Sequence, residues 1–219
     1  MNDLYATLIS VAYIGAVVGS AEFLRRSGRI GFDLSRKWVH VGVGTWILPT
    51  TLLFQSPFWA AFLPGIFVLA NAVSHRLKLM KAMDEESGDN LGTTLFPLAF
   101  VLAIALFWNR DGGKAALVAG ILVLAWGDAA AALVGKRFGR HRYAVGTNWR
   151  SLEGSAAMLA FSALAIAVAG QFVGSEPYGL LPILGGAVLA TGLEAGSRWG
   201  FDNLLVPLGT ALFLWGLPW

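Results

Sequence analysis

Apolar stretches recur eight times along the chain, roughly at 4–24, 37–54, 57–75, 92–109, 114–135, 152–172, 179–195 and 203–217, and most approach the length that crosses a lipid bilayer. A spanning helix needs ~20 mostly apolar residues to cross a hydrocarbon layer ~30 Å thick, and inside that layer its backbone polar groups must be bonded within the segment. The pattern therefore predicts one all-α domain over 1–219, a polytopic membrane helix bundle of about seven to eight transmembrane helices. The last two runs are short and interrupted by Gly or Pro, so they could be half-helices. The runs are too long and continuous for the ~10-residue alternation of a membrane β-barrel. Composition agrees: 56% of the 219 residues are hydrophobic and only 13% charged, against about 25% charged in soluble domains. The first 26 residues lack a basic n-region and a small-residue cleavage site, and read as a retained helix rather than a signal peptide.

Charge is distributed unequally between the connections. Arg25, Arg26, Arg29, Arg36 and Lys37 lie in the first, Arg76, Lys78 and Lys81 in the third, Lys136, Arg137, Arg140, Arg142 and Arg150 in the fifth, and Arg198 in the seventh. Only Arg110 and Lys114 fall in the even connections. Because cytoplasmic loops concentrate Lys and Arg, the N-terminus is expected outside and the odd loops in the cytoplasm, in a multi-pass protein of a prokaryotic cytoplasmic membrane. That rule accounts for the net charge of +3, and no nucleic-acid partner is needed to explain it. The acids Glu22, Asp33, Asp84, Glu85, Glu86, Asp89, Asp128, Glu153, Glu194 and Asp202 gather on the same side. Mixed charge there predicts a site for a charged cytosolic ligand. The absence of cysteine excludes a disulfide framework and thiolate chemistry.

Asp128 lies about 10 Å into the membrane, seven residues before the loop that begins at Gly135. An aspartate there costs ~2.5–3.5 kcal/mol on insertion scales. It therefore reads either as a ligand for Mg²⁺ or as half of a buried pair with an Arg or Lys of the adjacent loop. That loop, "VGKRFGRHRYAVGTNWRS", combines cationic side chains with Gly135, Gly139 and Gly146, a composition suited to phosphate; the plainer reading is a contact with anionic lipid headgroups. It is not a Walker A loop. Ser151 is a candidate N-cap for the sixth run, with Glu153 in its first turn and Gly154 where a capping box would place an acid. Lys37, His40 and Gly44 share one helical face, and Arg36 neighbours His40 at i, i+4. Asn71 and His75 form a second i, i+4 pair, and Glu194 and Arg198 a third. Asp202 and Asn203 precede the last apolar run, which Pro207 is expected to weaken. Three histidines without cysteine argue against structural zinc.

Four segments in this order, "RKWVHVGVG", "GTTLFPLAF", "GDAAAALVGKRFGR" followed by "TNWRSLEGS", and "DNLLVPL", resemble the phytol kinase and dolichol kinase family of CTP-using membrane lipid-alcohol kinases. The resemblance covers roughly 36–210. Its Gly-Asp…Gly-Lys-x-x-Gly…Glu-Gly block is also similar to one in phosphatidate cytidylyltransferases, whereas the first and last segments favour the kinases. The short chain is more similar to phytol or prenol kinases than to dolichol kinases. Arg150 stands where the family usually has lysine. The resemblance implies CTP as donor, an isoprenoid alcohol in the bilayer as acceptor and an active site on the cytoplasmic side. It further implies Mg²⁺ held by Asp128, Glu153 and Asp202, with phosphates cradled by Gly127, Gly135, Lys136, Arg137, Gly139, Arg150, Ser151 and Gly154. Lys37 would stabilise developing charge and His40 would orient or deprotonate the alcohol, with Arg36, Glu194 and Asn203 nearby. The competing expectations are cytidylyl transfer to a lipid phosphate, CTP-dependent phosphorylation of diacylglycerol, and transport of an anionic solute.

Overall fold

The computed structural model describes residues 2–77, 91–145 and 148–217. Among these the chain forms nine helices and one hairpin. They are α1 (Asp3–Arg26), α2 (Phe32–Thr45), α3 (Ile47–Leu53), α4 (Pro57–Leu77), α5 (Gly92–Phe107), α6 (Gly113–Phe138), the strands β1 (Arg142–Val145) and β2 (Asn148–Ser151), then α7 (Leu152–Val173), α8 (Leu180–Gly196) and α9 (Asp202–Trp215). The structure is an all-α membrane bundle, and the eight expected spans match these helices to within a few residues, except that the second is bent at Trp46 into α2 and α3. Helices α1, α4, α6 and α7 are long and apolar enough to cross a membrane; α5, α8 and α9 are shorter apolar helices. Pro207 does not break α9, which runs through it to Trp215. Tertiary packing overrides the proline, since α9 lies so close on α6 that a Cβ added at Gly120 would collide with the Pro207 carbonyl.

Helix α6 is the axis of the bundle. Its residues Ala115–Leu122 are buried on all sides, as expected of a helix apolar all round. Helices α2, α3, α5, α7 and α9 pack around it. In α6, 72% of the apolar window is buried, against 6% in α4, which places α4 at the rim. Large apolar side chains such as Leu52, Phe58, Leu69, Phe172 and Leu181 point outward, a surface that lipid solvates and water does not.

Two features set the position of the polar end. Val123–Asp128 forms a π-helical turn inside α6. One residue inserted into an α-helix rotates all that follows by about 100°, so Asp128 and the Ala-rich turn after it face differently from the buried half of α6. Close approach then brings the neighbouring helices in. A Cβ added at Gly44 of α2 would collide with the Ala125 side chain. Gly44→Ala should therefore push α2 off the π turn, costing about 1–3 kcal/mol as overpacking does and lowering turnover. Thermal melts and activity should both register it, whereas Gly15→Ala, with no atom within 4 Å of its added Cβ, should leave both unchanged.

Candidate active site

Five elements contribute charge to one place. On α2, Lys37, His40 and Gly44 do share a face, and it is the face turned to α6. The Lys37 ammonium donates to Asp128 Oδ2. His40 Nε2 lies 3.6 Å from the same oxygen and 3.2 Å from the Leu124 carbonyl. That carbonyl can only accept, so Nε2 carries the hydrogen and, in the neutral ring, Nδ1 is left as the acceptor. The partner of Asp128 thus comes not from the adjacent loop but from a helix 91 positions away. Both contacts use Oδ2, and among the described residues no hydrogen bond reaches Oδ1.

Arg150 on β2 forms the second centre. Its guanidinium pairs with Glu194 of α8, donates to the Ser197 carbonyl at 3.2 Å and lies 3.7 Å from Asp202 Oδ2 on α9. Glu194 is therefore not paired with Arg198: α8 ends at Gly196, so the i, i+4 geometry does not extend to Arg198. Asp202 Oδ1 accepts from the Asn203 backbone and side chain at 3.0 and 3.1 Å. Asp128 and Arg150 are close enough to interact electrostatically, as are Asp128 and Asp202, so the two centres form one cluster.

Between them opens a cavity of about 430 Å³, lined by Asp128, Gly135 and Lys136 of α6, Arg142, Trp149, Arg150 and Ser151 of the hairpin, Gly154 and Ser155 of α7, and Glu194. The hairpin was read from sequence only as a basic loop. Its strands pair antiparallel from Arg142 opposite Ser151 to Val145 opposite Asn148, and the expected contribution of Gly146 lies outside the described residues. Ser151 caps α7 as expected, its Oγ accepting from Gly154 N at 3.1 Å. Glycines expected to admit a phosphate also admit helices. A Cβ at Gly154 would lie 2.9 Å from the Ala131 carbonyl and 3.4 Å from Gly135 Cα, one at Gly139 would lie 2.8 Å from Ser151 Oγ, and one at Gly127 would lie 2.6 Å from Met158 Sδ.

Other expected residues stand apart. Glu153 is bound to His141, whose ring Nδ1 lies 2.8 Å from Oε1 and whose backbone N–H donates to it at 3.2 Å; it does not line the cavity. The expected trio of Asp128, Glu153 and Asp202 is not assembled: among the described residues no three His, Asp or Glu gather as a metal-holding group. Arg36 lies over the Phe32 ring at 5.9 Å and Arg137 over Phe138 at 5.5 Å, both exposed. Lys136 bonds Asp33 at 2.5 Å and holds that exposed carboxyl below its ordinary pKa. Asn71 donates to the Thr93 carbonyl at 2.8 Å; the side chain of His75 and the acids at 84–89 lie outside the described residues. Sequence reasoning counted Arg142 only among the cations of the loop and missed Trp149 and Ser155. The alternation of Tyr143, Val145 and Trp149 about a Gly-Thr pair was the available hairpin signal.

Three curated proteins are similar to the chain. It is 38% identical over 209 residues to the phytol kinase of Synechocystis sp., covering 94% of this chain and 89% of that protein. It is 29% identical over 170 residues to "Probable phytol kinase 2, chloroplastic" of Oryza sativa subsp. japonica, and 30% identical over 176 residues to "Probable phytol kinase 3, chloroplastic" of Glycine max. These two matches cover 72% of this chain and 54% and 52% of the plant proteins. No protein-family model matches the chain, and no solved structure does.

Proposed function

The chain belongs to the phytol kinase family, enzymes that phosphorylate an alcohol, and from that premise we propose that it transfers the terminal phosphoryl group of CTP to the hydroxyl of an isoprenoid alcohol such as phytol or geranylgeraniol, releasing CDP. The observation that carries this reading is the single cluster in which Lys37, His40, Asp128, Arg150, Glu194 and Asp202 meet beside a polar cavity. Phosphoryl transfer asks a protein mainly for positioning and charge neutralisation. Lys136 and Arg142, with the N-terminus of α7, offer the phosphates cationic and backbone donors. CTP as donor rests on the likeness of the Gly-Asp…Glu-Gly block to that of cytidylyltransferases.

The donor set fits Mg²⁺, a hard cation that takes one or two carboxylates and completes its shell with water and phosphate oxygens. Asp128, through its unused Oδ1, and Asp202 would hold it, and the ion would neutralise charge on the transferring phosphoryl. Lys37 fixes the Asp128 carboxylate and adds a positive charge beside it. His40 Nδ1 accepts the hydrogen of the acceptor hydroxyl and so aims its oxygen. The Lys- and Arg-rich ends of α1, α2 and α6 sit at this end of the bundle, which under the positive-inside rule is the cytoplasmic end of a prokaryotic membrane protein.

Purified protein given CTP labelled in its terminal phosphate, with phytol, geranylgeraniol, farnesol and diacylglycerol in turn, tests the reading. CDP and a labelled prenyl monophosphate are expected. Pyrophosphate release would instead mark cytidylyl transfer, and label on diacylglycerol alone a different acceptor. Trp149 lines the cavity while 70% exposed, and a cytosine ring stacked on it is worth ~1–2 kcal/mol. Trp149→Ala should therefore raise the CTP KM roughly 5- to 30-fold at nearly unchanged kcat in initial-rate assays.

A further inference from the structure

We propose that the apolar cavity between α1, α2, α4 and α5 holds the isoprenoid tail of the acceptor alcohol, and that Trp59 at its base sets the tail length. The proposal rests on the alcohol-kinase reading above and names the part of the molecule that selects among alcohols.

The cavity, about 190 Å³, is separated from His40 of the charged cluster by a single ring, Phe96. Phe96 lines it and also meets the His40 ring, centroid to centroid at 4.3 Å. Val39 and Val43, flanking His40 on α2, line it as well. From Asn71 at this level to Ala60 it follows α4 for roughly 16 Å at 1.5 Å per residue. Its walls offer a ligand hydrocarbon and little else. Thr50 gives its hydroxyl to the Trp46 carbonyl, Ser10 donates to the Ala6 carbonyl and accepts from Trp46 Nε1, and Asn71 donates to the Thr93 carbonyl. A long slot lined mainly by apolar side chains, with Thr50, Ser10 and the Asn71 amide nitrogen already bonded, suits an alkyl chain. A chain seated there brings its hydroxyl end toward His40.

The base is aromatic. Trp59 is braced by Phe58 at 5.8 Å and Phe62 at 5.5 Å, and Phe54 is buried beside it. A second apolar cavity, lined by Tyr13, Ala16, Val17, Lys37 and Leu133, lies on the other side of α1 and α2. The Tyr13–Trp46 stack, at 4.1 Å, separates the two. The second cavity is bounded by Tyr13, whose hydroxyl is tied to the Gly42 carbonyl, whereas the first continues past Trp46 to Phe54 and Trp59.

The test compares kcat/KM for farnesol, geranylgeraniol and a longer prenol in the full-length protein in vesicles, and maps a geranylgeraniol carrying a diazirine near its tail end. Trp59→Ala should move the longer-to-shorter ratio at least tenfold toward the longer alcohol, and Leu63→Trp, narrowing the slot midway, at least tenfold toward the shorter; the CTP KM should not move. The diazirine should label α4 and α5 near Trp59 and Phe100. Ratios within twofold of the parent for both variants, or label confined to Ala16, Val17 and Leu133, would overturn the proposal. The label map does not depend on turnover, so a protein that binds the prenol in the slot but phosphorylates none would sink the kinase reading alone.

Discussion

Asp128→Asn protein is expected to assemble in the membrane and to lose about 10²–10³-fold in kcat, the range for removing one preorganised electrostatic contact from an active site. Asparagine keeps the shape and still offers Lys37 an acceptor, so the packing of α2 on the π turn survives. What is lost is the negative charge that opposes Lys37 and would hold a cation through the unused Oδ1. Lys37→Met should give a loss of similar size. Because the two side chains share one contact, the double variant should be little worse than either alone, the non-additive result expected of a coupled pair. Single-turnover phosphoryl transfer, with membrane-inserted protein quantified in parallel, is the measurement. Full activity in Asp128→Asn would remove Asp128 from the chemistry.

Arg150 should show the largest stability effect. Its guanidinium serves Glu194, the Ser197 carbonyl and Asp202 at once, and Glu194 is only 5% exposed. Removing one partner of a buried ion pair costs about 3–5 kcal/mol because the other charge is left uncompensated. For a chain of this size Arg150→Ala should lower the melting temperature by on the order of 10 °C. Adding Glu194→Gln should recover part of that loss. Arg150→Lys keeps the charge but not the planar fork, and should fall between. These variants separate two roles for this residue. If Arg150→Ala melts with the parent and only the CTP KM rises, the guanidinium is a phosphate ligand and not a clasp between the hairpin, α8 and α9.

The helices were legible because a bilayer leaves few ways to satisfy a backbone, and a 20-residue apolar run is one of them. The face shared by Lys37, His40 and Gly44 was legible for the same kind of reason, since helical periodicity alone fixes it. Periodicity says which way a residue points and not what it meets. The Lys37–Asp128 pair joins helices 91 positions apart, and the nearer basic loop was the more obvious supplier of a partner for Asp128. Glu153 was legible as a carboxylate in a first turn, but the hairpin folds His141 back onto it across twelve positions. The π turn that reorients Asp128 has no signature in "VLAWGD" comparable to a proline or a cap. Arg150 read as a phosphate ligand because Glu194 and Asp202, which enclose it, come from two later helices.

The His40–Phe96 contact stands between a polar cavity and an apolar slot. On the proposed reading, one reactant reaches that wall by diffusion in water and the other by diffusion in the plane of the bilayer. The acceptor's effective concentration is then its mole fraction among the lipids. Diluting the alcohol with inert phospholipid at fixed total alcohol should slow the reaction as though substrate had been withdrawn, while changing the aqueous volume should act only through CTP. Membrane composition thereby becomes a kinetic variable of this enzyme, set by two rings in contact.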